Sequence, residues 1–359
     1  MSAGPRPVPH QSALRGTITV VMTLVGWSSV PLFLYHFRDQ IDFWTSNGWR
    51  YGFSALLWLP VLLAVLVRGR LPRGLWVASI VPSAVNAAGQ VCFTWAHYCI
   101  NPGMVTFGLR TQLVFVAIGA WLLFPSERAV IRTRGYLLGM AALLVGTTLV
   151  LLSGIDGGPA EGENRLLGVP LAILSGLLFA GYGLSVRRFM SGFHPVIAFA
   201  AICQYTGGAM VALMFLFGDA CADGAFLGLR GMTALEMSTE QFLYLLLSAV
   251  IGIALGHVFY YIAIANLGVA VAAGVLQLQP FLVALAQIPL FGAVLAPTQW
   301  AGGCLAVLGA LAMLEMQRRV SARRSAAGAS AQAGPSGAEA IAPEEPRRAR
   351  SRRAPRDAR

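Results

Sequence analysis

Residues 136–153 read YLLGMAALLVGTTLVLLS and contain no charged side chain. One helix needs about 20 predominantly apolar residues to cross a bilayer core, so this stretch predicts a membrane-spanning helix. Nine similar runs fill most of the chain around it. The ten predicted spans are 17–36, 43–67, 75–97, 103–124, 136–153, 167–189, 195–217, 241–263, 269–291 and 298–316.

The composition supports an all-α integral membrane protein. Of 359 residues, 57% are hydrophobic and 11% are charged, whereas soluble domains average about 25% charged residues. All 26 basic residues are arginine, and 11 of them follow Met316. The high pI is therefore mostly a property of the tail and does not predict a nucleic-acid partner. The chain lacks metalloprotease, serine-hydrolase and P-loop motifs, and its five cysteines lack metal-binding spacing, so we expect no enzyme, no metal and no cofactor.

The distribution of arginine predicts the orientation. With the N-terminus inside, 14 arginines up to residue 324 lie on the inner side and three lie in outer loops. Because positive charge is retained in the cytoplasm, we predict that both termini are cytoplasmic and that the membrane is the plasma (inner) membrane.

An internal repeat relates the two halves. Residues 89–96 read GQVCFTWA, and residues 256–263 read GHVFYYIA. The fifth and tenth spans share glycines seven residues apart. The number of helices in the repeat is odd, so the second copy would start on the opposite side of the membrane and have inverted topology, as in the inverted repeats of secondary transporters. We predict a cytoplasmic N-terminal segment (1–14), two five-helix repeats (15–153 and 166–316) and a disordered basic cytoplasmic tail (317–359). A duplicated structural or receptor bundle is the alternative.

Three short motifs carry a resemblance to a known family. They are Trp49-Arg50-Tyr51, the pair Glu127-Arg128 that closes the fourth span, and Pro280 after glutamine in the ninth. With the ten-span layout, they resemble the EamA-type branch of the drug/metabolite transporter superfamily. The resemblance implies a ten-helix transporter. Gln112 stands where the family usually has proline, so a helix break is expected at Pro280 and in that half only.

Two arginines, Arg50 and Arg110, lie well inside predicted spans. An arginine at the centre of a span costs about 2.5–3.5 kcal/mol on insertion scales, and such residues usually face an interior or a cavity. Both are at similar depth and could bind one anionic group. Their counterparts in the second repeat are Gln204 and Gln277. The alternative is that each arginine reaches the headgroups or caps a carbonyl.

A polar stripe follows one face of the third span: Asn86, Gln90, Thr94 and His97. The eighth span carries His257, Tyr260 and Tyr261, and the first span carries Trp27 and Ser28. These residues are candidates for lining a substrate path, although polar residues within spans also hold helices together.

The sequence therefore predicts a secondary transporter that moves a small anionic or zwitterionic metabolite by alternating access. Glu127 and Arg128 are gate candidates, or simply a solvated helix end. An exporter of drugs or organic cations is an alternative, but it commonly uses an intramembrane carboxylate, and none lies away from a span end. A membrane sensor or scaffold is the third reading. The expected partners are the substrate and membrane lipids, and a homodimer is left open.

Overall fold

The computed structural model describes residues 10–153, 163–221, 225–267 and 269–332. It is 85% helical. Across these residues the extended structure is an isolated β-bridge between Ala220 and Arg230. Ten helical spans are long and apolar enough to cross a membrane, which confirms the predicted all-α membrane fold.

We number the spans 1 to 10 in chain order, each by its helix or pair of helices. They are His10–Phe37, Phe43–Val67, Leu75–Cys99, Pro102–Gly108 with Gln112–Leu123, Arg134–Leu152, Arg165–Phe189, Pro195–Phe217, Thr239–Ala249 with Gly256–Leu267, Val269–Leu276 with Gln279–Phe291, and Pro297–Gln332. A short helix, Arg128–Ile131, lies between spans 4 and 5.

Three spans are interrupted. Span 4 passes through a 3-10 turn at Leu109–Thr111, span 8 contains a π-helical segment at Val250–Leu255, and span 9 breaks just before Gln279. The prediction of a break in one half only is therefore wrong. In span 4 the side chains of Arg110 and Thr111 donate to the carbonyls of Thr106 and Gly108, and such local bonds compete with the regular helical pattern.

The last span is longer than predicted. Residues 317–332 were assigned to a disordered tail, but they continue the helix to Gln332. Alanine and arginine are strong helix formers, and Glu315 pairs with Arg318 and Arg319 one turn away. The prediction of disorder is thus wrong for this part, and residues 333–359 lie outside the described residues.

Spans 5 and 10 meet through their glycines. A Cβ added at Gly139 would lie 2.7 Å from the carbonyl oxygen of Gly309, and one at Gly302 would lie 2.7 Å from that of Gly146. Because Gly139 faces Gly309 while Gly146 faces Gly302, the two helices run antiparallel with their backbones in contact. Small residues permit this close approach.

Contacts between spans come in matched sets. Span 3 packs on span 6 and span 8 on span 1, while span 4 packs on span 6 and span 9 on span 1. Spans 2 and 7 pack on each other, as do spans 5 and 10. Exchanging each span for the one five places away turns these six pairs into one another, whereas the smaller contacts of span 3 with spans 1 and 2 have no counterpart of that size. This correspondence is what a duplication would give, and the two-fold axis in the membrane plane stays a prediction.

Candidate functional site: two buried arginines and the side chains between them

Arg110 lies in the 3-10 turn of span 4 and reaches the break in span 9. Its Nη2 donates to Oε1 of Gln279 at 2.7 Å, and its Nη1 donates to Oε1 of Gln277 at 3.3 Å and to the carbonyl of Leu276 at 3.4 Å. The broken helix leaves the Leu276 carbonyl available for this bond. The structure thus brings Arg110 and Gln277 together, and it adds Gln279, which the sequence analysis did not single out as a candidate.

Arg50 is buried between spans 2 and 8, with 2% of its surface exposed. Its Nε donates to Oγ of Ser248 at 2.8 Å. Neither Nη1 nor Nη2 has a hydrogen-bond or ion-pair partner among the described residues. Nη2 lies 4.0 Å from where a Cβ at Gly252 would stand, and a methyl group of Val30 fills that position, so Gly252 and Val30 pack beside the guanidinium.

Trp27 of span 1 connects the two arginines. Its Nε1 donates to the carbonyl of Gly252 at 3.1 Å, and its own carbonyl accepts from Nε2 of Gln279 at 2.8 Å. The contacts therefore run from Arg110 through Gln279 and Trp27 to Gly252, beside Arg50. We call this set the arginine–tryptophan network, comprising Trp27, Arg50, Arg110, Gly252, Gln277 and Gln279.

Aromatic rings adjoin the network on one side. The Trp27 ring lies 5.3 Å from that of His257 and 5.2 Å from that of Tyr260, between centroids. Phe199 of span 7 stacks on His257 at 4.5 Å. Three of the predicted residues, Trp27, His257 and Tyr260, therefore form one aromatic group.

Four other candidates lie outside the network. Nδ2 of Asn86 donates to Oγ1 of Thr206 at 3.2 Å, and Nε2 of Gln204 donates to the carbonyl of Ala55 at 2.8 Å. Both bonds join neighbouring helices, which is the packing alternative. Ser28 donates to the Leu24 carbonyl of its own helix. Gln90 is half-buried, and its carbonyl accepts a long bond of 3.5 Å from Nδ2 of Asn47.

A group of buried polar atoms lies near Arg50 between spans 2 and 3. Among the described residues, His97 Nε2 is buried without a hydrogen-bond partner, and the hydroxyls of Ser46 and Tyr98 are close enough to interact with each other. Nδ1 of His97 lies 2.7 Å from the Phe93 carbonyl, so that nitrogen carries the proton and Nε2 is an acceptor. Arg50 is close enough to His97 and Tyr98 to act on both electrostatically.

The gate candidates do not pair with each other. Oε1 of Glu127 accepts from Nη2 of Arg187, at the end of span 6, at 2.9 Å. The guanidinium of Arg187 also lies 4.1 Å from the centre of the Phe124 ring. Arg128 instead donates to the Trp121 carbonyl at 2.9 Å. Glu127 thus links spans 4 and 6, and an exposed ion pair of this kind contributes about 0–1 kcal/mol.

The network is only partly enclosed in this structure. Arg50, Gln277 and Gln279 are buried, whereas Trp27 and Arg110 are half-buried. Two surface pockets lie elsewhere: one at Tyr35, Arg38 and Phe291, and one along the ends of spans 4 and 5.

Residues 166–314 match the model of the EamA-like transporter family. This confirms the resemblance to a family of transporters for the second half of the chain, where Pro280 lies. No curated protein matches the chain significantly.

A protein of known crystal structure superposes with a TM-score of 0.55 at 17% identity. The alignment covers 86% of this chain and 98% of the other. At this identity the likeness concerns the fold alone. The chain is an integral membrane protein whose second half is similar to a family of transporters.

Proposed function

Starting from the EamA-like second half, we propose that this chain is a secondary transporter for a small metabolite that carries an anionic group, either an anion or a zwitterion. We also propose alternating access, with both termini in the cytoplasm. The observation that carries the proposal is Arg50, a buried guanidinium in a membrane span without an acidic partner among the described residues.

The cost of burying Arg50 is the physical argument. An uncompensated charge in the membrane interior is expensive, and such residues are usually retained for function. Ser248 satisfies only Nε, so four N–H groups on Nη1 and Nη2 remain. A carboxylate or phosphate matches this edge of a guanidinium with two parallel hydrogen bonds. We assign the anionic group of the substrate to this edge of Arg50.

The burial of Arg50, Gln277 and Gln279 supports alternating access. Inverted repeats around a central site allow two copies to exchange their conformations, and the matched contacts between spans fit such an arrangement. The weak Glu127–Arg187 pair suits an inner gate because a link of about 0–1 kcal/mol can open readily.

A second candidate is export of organic cations. The ring cluster of Trp27, Phe199, His257 and Tyr260 favours it, because aromatic faces attract cations. Against it, the acidic residues in the described spans are Glu240, in the first turn of span 8, and Glu315, which lies beyond the apolar part of span 10 and is paired with arginine. A cation would therefore lack an anionic partner in the network and would meet two arginines.

Ligand stabilisation of the purified chain tests the choice. We expect carboxylates, phosphates or amino acids to raise the thermal denaturation midpoint, and esters of the same compounds to have no such effect. Uptake into proteoliposomes should then follow for the stabilising compound. Stabilisation by organic cations alone, or equally by an acid and its ester, would contradict the anion proposal.

A further inference from the structure

A groove runs along the membrane-facing side of spans 4 and 5, at the predicted cytoplasmic end of both. Its volume is about 310 Å³. The side chains along it are apolar except at one end, where Arg132 stands. They are Ala117, Ile118, Trp121, Leu122, Ile131, Leu137 and Met140. We call it the span 4–5 groove.

The groove has the depth of the inner leaflet. Ala117 lies seven residues before Phe124, where span 4 ends, which corresponds to about 10 Å at 1.5 Å per residue. Ile118 and Leu122 are 52% and 67% exposed, so this side faces the lipid rather than another span of the same chain. The groove therefore begins at the headgroup level and extends into the hydrocarbon.

Arg132 is held in place with its donors free. Its guanidinium lies 4.9 Å from the centre of the Trp121 ring, and it has no hydrogen bond or ion pair to any described residue. Arg128 and Arg134 are exposed beside it. The nearby acid, Glu127, is already paired with Arg187. The mouth of the groove is thus strongly positive.

We propose that the span 4–5 groove binds an anionic phospholipid of the cytoplasmic leaflet, with one acyl chain along the apolar walls and the phosphate at Arg132. The combination of features selects this occupant. A soluble anion would gain nothing from the apolar walls, and a neutral chain would gain nothing from the arginine. Basic pockets between spans on the cytoplasmic side are a known mode of anionic-lipid recognition, and each buried methylene of the chain adds to the affinity.

Native mass spectrometry of the full chain in detergent tests the proposal, with dioleoyl phosphatidylglycerol and dioleoyl phosphatidylcholine as probes. We expect tighter retention of phosphatidylglycerol. Arg132→Gln should weaken it about fivefold, since one arginine near an anionic surface contributes about that factor. The matched control is Arg134→Gln, which removes the same charge beside the groove and should change retention at most twofold.

A second pair of variants tests the acyl-chain half of the site. Ile118→Trp places a large ring in the groove and should reduce phosphatidylglycerol retention. Leu138→Trp places the same ring on the neighbouring, 71% exposed surface and should not.

Equal losses in the two arginine variants would mean diffuse surface attraction and would overturn the proposal. Equal retention of both lipids, unchanged retention in Ile118→Trp, or occupation of the groove by a second copy of the chain would do the same. None of these outcomes depends on the transported substrate.

Discussion

Arg50 and Arg110 are both cations within membrane spans, Arg50 buried and Arg110 half-buried, and their surroundings differ. Arg110 donates to two amide oxygens and a backbone carbonyl across the broken span 9, whereas Arg50 donates only to Ser248. Both terminal nitrogens of Arg110 therefore donate hydrogen bonds, whereas the terminal nitrogens of Arg50 donate none to the described residues. The difference teaches that a buried charge indicates a ligand site only when its partners have been counted. Arg110 holds the break in place, and Arg50 has donors left for a substrate.

Arg50→Gln should have the largest effect on substrate affinity. A hydrogen bond to a charged group contributes about 1.5–3 kcal/mol, so we expect the dissociation constant to rise about 10- to 100-fold. Folding should be unaffected or slightly improved, because a costly buried charge is removed. Affinity and the denaturation midpoint are measured on the same sample. Arg230→Gln, in the outer loop, is the control and should leave affinity unchanged; an affinity equal to wild type in Arg50→Gln would remove the anion site.

Arg110→Gln should act mainly on stability. It strands the oxygens of Gln277, Gln279 and Leu276, and each buried unsatisfied group costs about 1–3 kcal/mol. We expect a lower denaturation midpoint and a smaller loss of affinity than in Arg50→Gln. Arg110→Lys separates charge from geometry, because lysine cannot span two amides as a guanidinium does. If Arg110→Lys is as stable as wild type, the paired hydrogen bonds from Arg110 to Gln277 and Gln279 are not what stabilises the break in span 9.

Gly256→Ala should disturb the connection between the two arginines. The added Cβ would meet Nε1 and Cδ1 of Trp27, the latter at 2.7 Å, and would displace the indole from Gly252. Overpacking of this kind costs about 1–3 kcal/mol. Gly183→Ala is the matched control, since nothing lies within 4 Å of its added Cβ, and it should be neutral or stabilising. A Gly256→Ala protein as stable as the control would mean that Trp27 moves freely.

Glu127→Gln should have the smallest effect, at most about 1 kcal/mol, because the partly exposed pair with Arg187 is weak. We expect stability close to wild type, and a faster transport rate if opening of this link limits the cycle. Arg187→Gln should show the same change. Transport assays that differ between the two variants would show that Glu127 acts through another residue.

Much of the fold follows from hydropathy because the bilayer fixes the length of each span. The predicted bounds of spans 2 and 7 match the structure, where Asp42 caps one helix and Pro195 starts the other. The interruptions do not follow in the same way. The 3-10 turn at Leu109–Thr111 accompanies bonds from side chains of its own span, which many regular helices also contain. The π segment at Val250–Leu255 accepts a bond from Trp27 of span 1 at Gly252, and this contact becomes visible only when the neighbouring span is in place.

The site shows a similar division. Arg50, Arg110 and Trp27 could be selected from the sequence, because charged and large amphipathic residues are conspicuous in apolar spans. Gln279 and Ser248 could not, since an amide or a hydroxyl in a span has many ordinary roles. Asn86 and Gln204 show the converse: their polarity marked them as candidates, and the structure adds that each has a hydrogen-bond partner on a neighbouring helix.

The glycine contact between spans 5 and 10 has a consequence for any transport cycle. Their backbones are in contact at two places seven residues apart. Separating these helices would expose peptide groups to lipid, and lipid chains would not replace the close packing that is lost. The contact between spans 5 and 10 should therefore be kept while the other spans rearrange. In mechanical terms, spans 5 and 10 would form the fixed pivot of the molecule, and the network of Trp27, Arg50 and Arg110 would belong to its moving parts.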